Sequence, residues 1–137
     1  MKGSFKLGKI ADIGIFIHWT FSLLILFIVF INYRSGQNAT QILWSVFFVL
    51  SIFITVVMHE LGHALAAKRY NIITKDITLL PIGGIARLEK IPEKPIEELI
   101  VAIAGPLVNI VLAVITGIFI TIPATSEQLM AQLANGV

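Results

Sequence analysis

The stretch VVMHELGHALAAKRY, Val56 to Tyr70, sets two histidines and a glutamate into an otherwise apolar run. Residues four apart on an α-helix are rotated by about 400°, so His59 and His63 project from nearly one face, one turn apart. That spacing lets two imidazoles grip one zinc ion. Glu60 stands beside them, where a carboxylate takes a proton from water held by the metal, the HExxH arrangement of zinc hydrolases. The competing reading is a set of buried polar residues satisfied by other helices, or part of a proton path. A charge near the bilayer centre costs about 2.5–3.5 kcal/mol, which favours a metal site over an incidental glutamate. Gly62, Ala64, Ala66 and Ala67 let other helices approach closely, and fit both readings.

The composition around this stretch is that of an integral membrane protein. The 137 residues are 57% hydrophobic and 13% charged, with a mean hydropathy of +0.92. That is too apolar and charge-poor for an ordinary soluble domain of this size. Ten basic and eight acidic residues leave a net charge of +2 without a basic run, so no nucleic-acid partner is expected. The absence of cysteine excludes disulfides and thiolate metal sites.

The fold class expected is mainly α, a polytopic membrane protein with three transmembrane helices and a short cytoplasmic-side β-hairpin between helices 2 and 3. Residues 1–137 read as a single membrane domain. Helix 1 is expected at about 13–32, in IGIFIHWTFSLLILFIVFIN, which is long for a signal-peptide core and lacks a cleavage site. Helix 2 runs from about 43 to 70, roughly 42 Å against a hydrocarbon core of about 30 Å, so its end tilts or protrudes. The β-branched segments Ile72–Leu80 and Ile85–Lys90, joined through PIGG, predict a hairpin over about 72–90. Helix 3 is expected at about 96–122, with Glu97 and Glu98 in the first turn, where the helix dipole favours them. Pro123 is expected to end it, leaving an outward tail, 123–137, in which Ser126 is a candidate cap for a short helix.

Lysine and arginine are concentrated before helix 1 and between helices 2 and 3, which predicts a cell-membrane, multi-pass protein with a cytoplasmic N-terminus and active-site side. The histidines then lie roughly 7–14 Å below the polar boundary set by Lys68, and water must reach them from the cytosol. His18 falls at a similar depth on the first apolar run. It is a candidate further ligand, a second-layer partner of the site, or an interfacial residue beside Trp19. Gly105 and Pro106 predict a kink in the third helix, and Asn109 either lines the active cavity or bonds helix to helix. Hydrolysis needs an extended substrate backbone, so the hairpin, through Leu79–Gly84 with Gly83 and Gly84 or through Ile85–Leu88, is a candidate clamp by strand addition.

Together GIFIHW (Gly14–Trp19), HELGHALAAKRYNI (His59–Ile72), LLPIGG (Leu79–Gly84) and AGPLVN (Ala104–Asn109) resemble the site-2 protease type of intramembrane zinc metalloproteases. The resemblance implies one Zn2+ held by His59 and His63, with Glu60 as catalytic base. It implies cleavage of a transmembrane or membrane-associated regulatory protein within or near the lipid bilayer. The family completes its zinc site with an aspartate on a later helix, and nothing after Asn109 matches that segment. The acid beyond it, Glu127, falls on the outer side of the expected topology. The sequence therefore predicts a chain incomplete at its C-terminus, binding zinc weakly and turning over little by itself. The alternative is a noncatalytic membrane binding protein that retains the fold and part of the zinc site; a metal-coupled transporter is more distant. Substrate identity and oligomeric state leave no mark in these residues.

Overall fold

The computed structural model describes residues 3–136. A hairpin of β1 (Ser4–Ile10) and β2 (Ile13–His18) leads into α1 (Thr20–Arg34) and α2 (Ala39–Lys68). A second hairpin, β3 (Thr74–Leu80) and β4 (Gly83–Leu88), precedes α3 (Pro95–Ala134). The four strands form one sheet in the order β1-β2-β3-β4, antiparallel except for the parallel pairing of β2 with β3.

The segment expected as helix 1 is divided. Ile13–His18 is a strand, and the helix after it has 15 residues, roughly 22 Å, short of a hydrocarbon core of about 30 Å. Among the described residues two helices, α2 and α3, are long and apolar enough to cross a membrane, where the sequence predicted three. A continuous apolar run carries no period that separates strand from helix. Here the long-range partners decide. Ala11 and Asp12, both at positive φ, form a two-residue turn that brings β1 against β2, while β3 pairs with the other edge.

The expected hairpin is present, with strands slightly shorter than the β-branched runs and with two further strands beside it. The last helix differs more. Pro123 lies inside α3, and the expected tail is helical to Ala134. A proline in mid-helix removes one N–H and crowds the carbonyl four residues back. The following SEQLMAQLA is made largely of good helix formers, which resume the helical ladder beyond the proline.

α2 is the element against which everything else packs. Its N-terminus carries a reciprocal cap, in which Asn38 Oδ1 accepts from the Gln41 amide and Gln41 Oε1 from the Asn38 amide. Ile13, Ile15 and Ile77 from the sheet bury against Leu61 and Ala64, and Leu79 joins Phe21 and Phe53. The two phenylalanine rings meet edge-on at 4.6 Å. Ala67, Ile72 and Val101 close the end near Lys68. Across the helices, a Cβ on Gly62 would stand 2.7 Å from Ala104 O and 2.7 Å from Val108 Cγ2, so α2 and α3 touch backbone to backbone there. Replacing the fully buried Ile77 by alanine is expected to cost about 2–5 kcal/mol, read as a lower denaturation midpoint in detergent.

On the opposite face of β3, Asp76 is buried and paired with Arg87, its register partner on β4. Arg87 Nε donates to Asp76 Oδ1 at 2.8 Å and Nη2 donates to Oδ2, a two-pronged pair. The hydrogen bonds from Arg87 hold the Asp76 carboxyl below its ordinary value of 3.8, burial opposing them. Because the folded-state value is the lower one, this pair stabilises the fold above about pH 4 and the contribution disappears as pH falls through the depressed value. Thermal midpoints measured from pH 6 down to pH 2 should therefore drop less steeply in Arg87→Gln than in the native chain.

Candidate metal centre

His59, Glu60 and His63 lie in the last third of α2, at the level where β4 and α3 both reach that helix. The 3.6-residue period places the two imidazoles side by side, and their Nε2 atoms are 3.1 Å apart. Two nitrogens bound tetrahedrally at about 2.0–2.1 Å from one zinc would be separated by about 3.3 Å. The pair is thus already spaced for a single ion.

The second nitrogen of each ring is held by α3. His63 Nδ1 lies 2.6 Å from the carbonyl oxygen of Val101. A carbonyl only accepts, so Nδ1 carries the proton and the Nε2 lone pair is free. His59 Nδ1 lies 2.9 Å from the side-chain amide of Asn109. With the amide oxygen toward the ring, Asn109 accepts from Nδ1–H and frees the second Nε2 lone pair. With the amide nitrogen toward it, His59 instead donates from Nε2 to His63. Asn109 therefore both lines the cavity and bonds helix to helix.

Gly105 shows that the space ahead of these lone pairs is a built one. A Cβ at this position would stand 2.3 Å from His63 Nε2 and 2.8 Å from His59 Nε2, close to where an ion bound by both would sit. Glycine keeps that volume clear. The donor chemistry, the spacing and the cleared volume all fit zinc.

Glu60 faces the same region from the next position. A Cβ on Gly84 would come 3.2 Å from Glu60 Cγ and 2.9 Å from Val56 Cγ1, so β4 lies directly against this turn of α2. The Glu60 carboxylate has no hydrogen-bond partner among the described residues, leaving both oxygens open toward a pocket of about 380 Å³ lined by Ile52, Thr55, Val56, His59, Glu60 and Asn109. Gly83 begins β4 at a φ of +142°, a backbone region that favours glycine.

His18 is placed elsewhere. It ends β2, its Nδ1 lies 2.7 Å from Thr20 Oγ1, and its ring centroid is 5.9 Å from that of Trp19. By register it lies two strands from Gly83, about 10 Å across the sheet. Among the described residues, no group of three or more His, Cys, Asp or Glu side chains comes within reach of one ion. Sequence reasoning missed Gly105 and the Val101 carbonyl as parts of the centre. The glycine was visible within AGPLVN, but a carbonyl acceptor leaves no trace in a sequence.

Residues 47–135 match the model of peptidase family M50. The chain belongs to that family, the site-2 proteases. A zinc metalloprotease of Methanocaldococcus jannaschii is 45% identical over 115 residues, covering 84% of this chain and 32% of the relative. Stage IV sporulation protein FB of Bacillus subtilis is 42% identical over 63 residues, covering 45% of this chain and 22% of that protein. A solved structure, the site-2 protease from Methanocaldococcus jannaschii, superposes with a TM-score of 0.64 at 39% identity, covering 85% of this chain and 50% of that one. The M50 chain described here thus spans 32% and 22% of the first two of these lengths and 50% of the third. For this M50 centre, Gly105→Ala should place a methyl group in the ion's volume. Zinc content after equilibrium dialysis is expected to fall at least tenfold, with helicity by circular dichroism unchanged.

Proposed function

We propose that the full-length protein is a zinc-dependent intramembrane endopeptidase that cleaves a transmembrane or membrane-associated regulatory protein, and that these residues carry two zinc ligands and the catalytic base. The observation that supports this most is the convergence of the His59 and His63 Nε2 atoms on a volume kept clear by Gly105, with Glu60 opening onto the adjoining pocket. His59 and His63 would hold the ion, and a further ligand comes from outside the described residues. Zinc bound there supplies Lewis acidity toward the scissile carbonyl and makes water acidic enough to give up a proton near neutral pH.

The work of the chain's own residues follows from their positions. The Glu60 carboxylate takes one proton from the attacking water as its oxygen bonds to the carbonyl carbon, and passes it to the leaving nitrogen as the C–N bond breaks. Val101 and Asn109 fix the imidazoles so that both lone pairs stay aimed. A peptide bond inside a helix has its carbonyl engaged and its faces covered, so substrate must be extended at the site. The outer edge of β4 is unpaired among the described residues and lies beside Glu60 through Gly84. We assign that edge, from Gly83 and Gly84 to Leu88, as the strand that receives substrate. The distribution of lysine and arginine supports a multi-pass protein of the cell membrane with this side cytoplasmic.

A second reading applies to the 137 residues alone. Only two histidine donors converge among the described residues, which favours a noncatalytic module that binds zinc weakly. The two readings separate with Glu60→Gln in the full-length protein. Cleavage of a membrane substrate is expected to fall by about 10²–10⁴-fold, with metal content unchanged. Cleavage at the native rate in that variant would end the general-base assignment.

A further inference from the structure

The pocket that opens from the histidines extends well beyond them. Its polar end is formed by His59, Glu60 and Asn109, and its other end by Ile52, Thr55 and Val56. Positions 52, 55, 56 and 59 recur at three- and four-residue steps, so successive turns of one face of α2 line it. Ile52 lies roughly 10 Å along the axis from His59, on the side away from Lys68.

That far end is aliphatic. Thr55 Oγ1 donates to Ser51 O at 3.1 Å, so its hydroxyl is satisfied within its own helix turn. Ile52 is 47% exposed and has no role in the core. Val56 lies against Gly84 at the start of β4, which ties this wall to the strand assigned to substrate. An extended chain laid along β4 turns alternate side chains toward α2. β4 runs alongside α2 in the same direction, Gly84 level with Val56 and Ala86 with the cluster around Leu61. A side chain turned toward α2 from a strand laid on the outer edge of β4 passes beside Gly84, which itself packs on Val56, and meets Val56, Thr55 and Ile52.

We infer that Ile52, Thr55 and Val56 form the specificity pocket for the substrate residue next to the scissile bond on its membrane-deep side, and that this residue is aliphatic. The inference rests on the endopeptidase reading of the site. An aliphatic chamber continuous with a few convergent polar groups is how a binding site combines affinity with orientation. A charged side chain entering it would be desolvated without a partner.

The test uses the full-length zinc-loaded protein and membrane substrates that differ only at the flanking residue, which is Ala, Leu or Asp. Leu is expected to exceed Ala in kcat/KM by about tenfold or more, with Asp below both. Filling the chamber with Ile52→Phe and Thr55→Leu together should invert the preference between Leu and Ala while Ala cleavage continues. An unchanged ratio between Leu and Ala in the filled variant overturns the pocket and leaves the endopeptidase reading standing; cleavage that survives Glu60→Gln overturns the reading beneath it. A trap that needs no turnover gives the second readout. The 137 residues contain no cysteine. In a Glu60→Gln background and with an added mild oxidant to accept the two electrons, Thr55→Cys should form a disulfide with a cysteine scanned along the substrate, with its maximum at the flanking residue. Uniform trapping, or a maximum on the other side of the bond, overturns the assignment.

Discussion

The close approach of α2 and α3 is the contact on which the geometry of the candidate metal centre depends. Gly62 and Gly105 face each other's helices where a methyl group would collide with backbone or with imidazole nitrogen. Helices surrounded by lipid gain no hydrophobic advantage by associating, so packing and hydrogen bonds must hold them together. Small residues at the crossing provide the first. The bonds from His63 to Val101 and between His59 and Asn109 provide the second, and they also aim both imidazoles. Structural adhesion and ligand orientation are the same interactions here.

The sheet answers to a different constraint. An open sheet edge is not tolerated in hydrocarbon, because its N–H and C=O groups find no partners there. The outer edges of β1 and β4 therefore belong at a polar level or along a water-lined cavity. β1 fits the first case. Lys6 and Lys9 share the face opposite Phe5 and Ile10, and a bulge falls between Lys6 and Gly8, both of which discourage pairing with another strand. β4 fits the second, since Gly84 packs against Val56 and Glu60, two of the residues that line the pocket. The Asp76 and Arg87 pair, with Arg87 half exposed, places polar groups on the sheet face turned away from α2.

Much of the candidate centre's arrangement was legible from VVMHELGHALAAKRY because helical spacing is a local property. Four residues suffice to put His59 and His63 on one face, and the insertion cost of Glu60 marks the cluster as a functional candidate. The second hairpin was legible from its β-branched runs and Pro-Gly turn. The first was not. IGIFIH is apolar without a usable period, and its strand state depends on β3, whose nearest register partner, Asp76 to Gly14, comes far later in the chain. Pro123 misled for the opposite reason: a strong local signal was overridden by the helix-forming residues after it.

The sequence by itself determined the apolar character, the HELGH spacing and the M50 resemblance, all of which are carried by residue identity and by neighbours within a turn or two. Only the tertiary structure decided that His63 presents Nε2, that Asn109 reaches His59, and that Gly105 leaves clear the space ahead of both imidazoles. Those facts join atoms 38 and 50 residues apart in sequence. Such distances are bridged by helix crossing, which no local pattern of residues records.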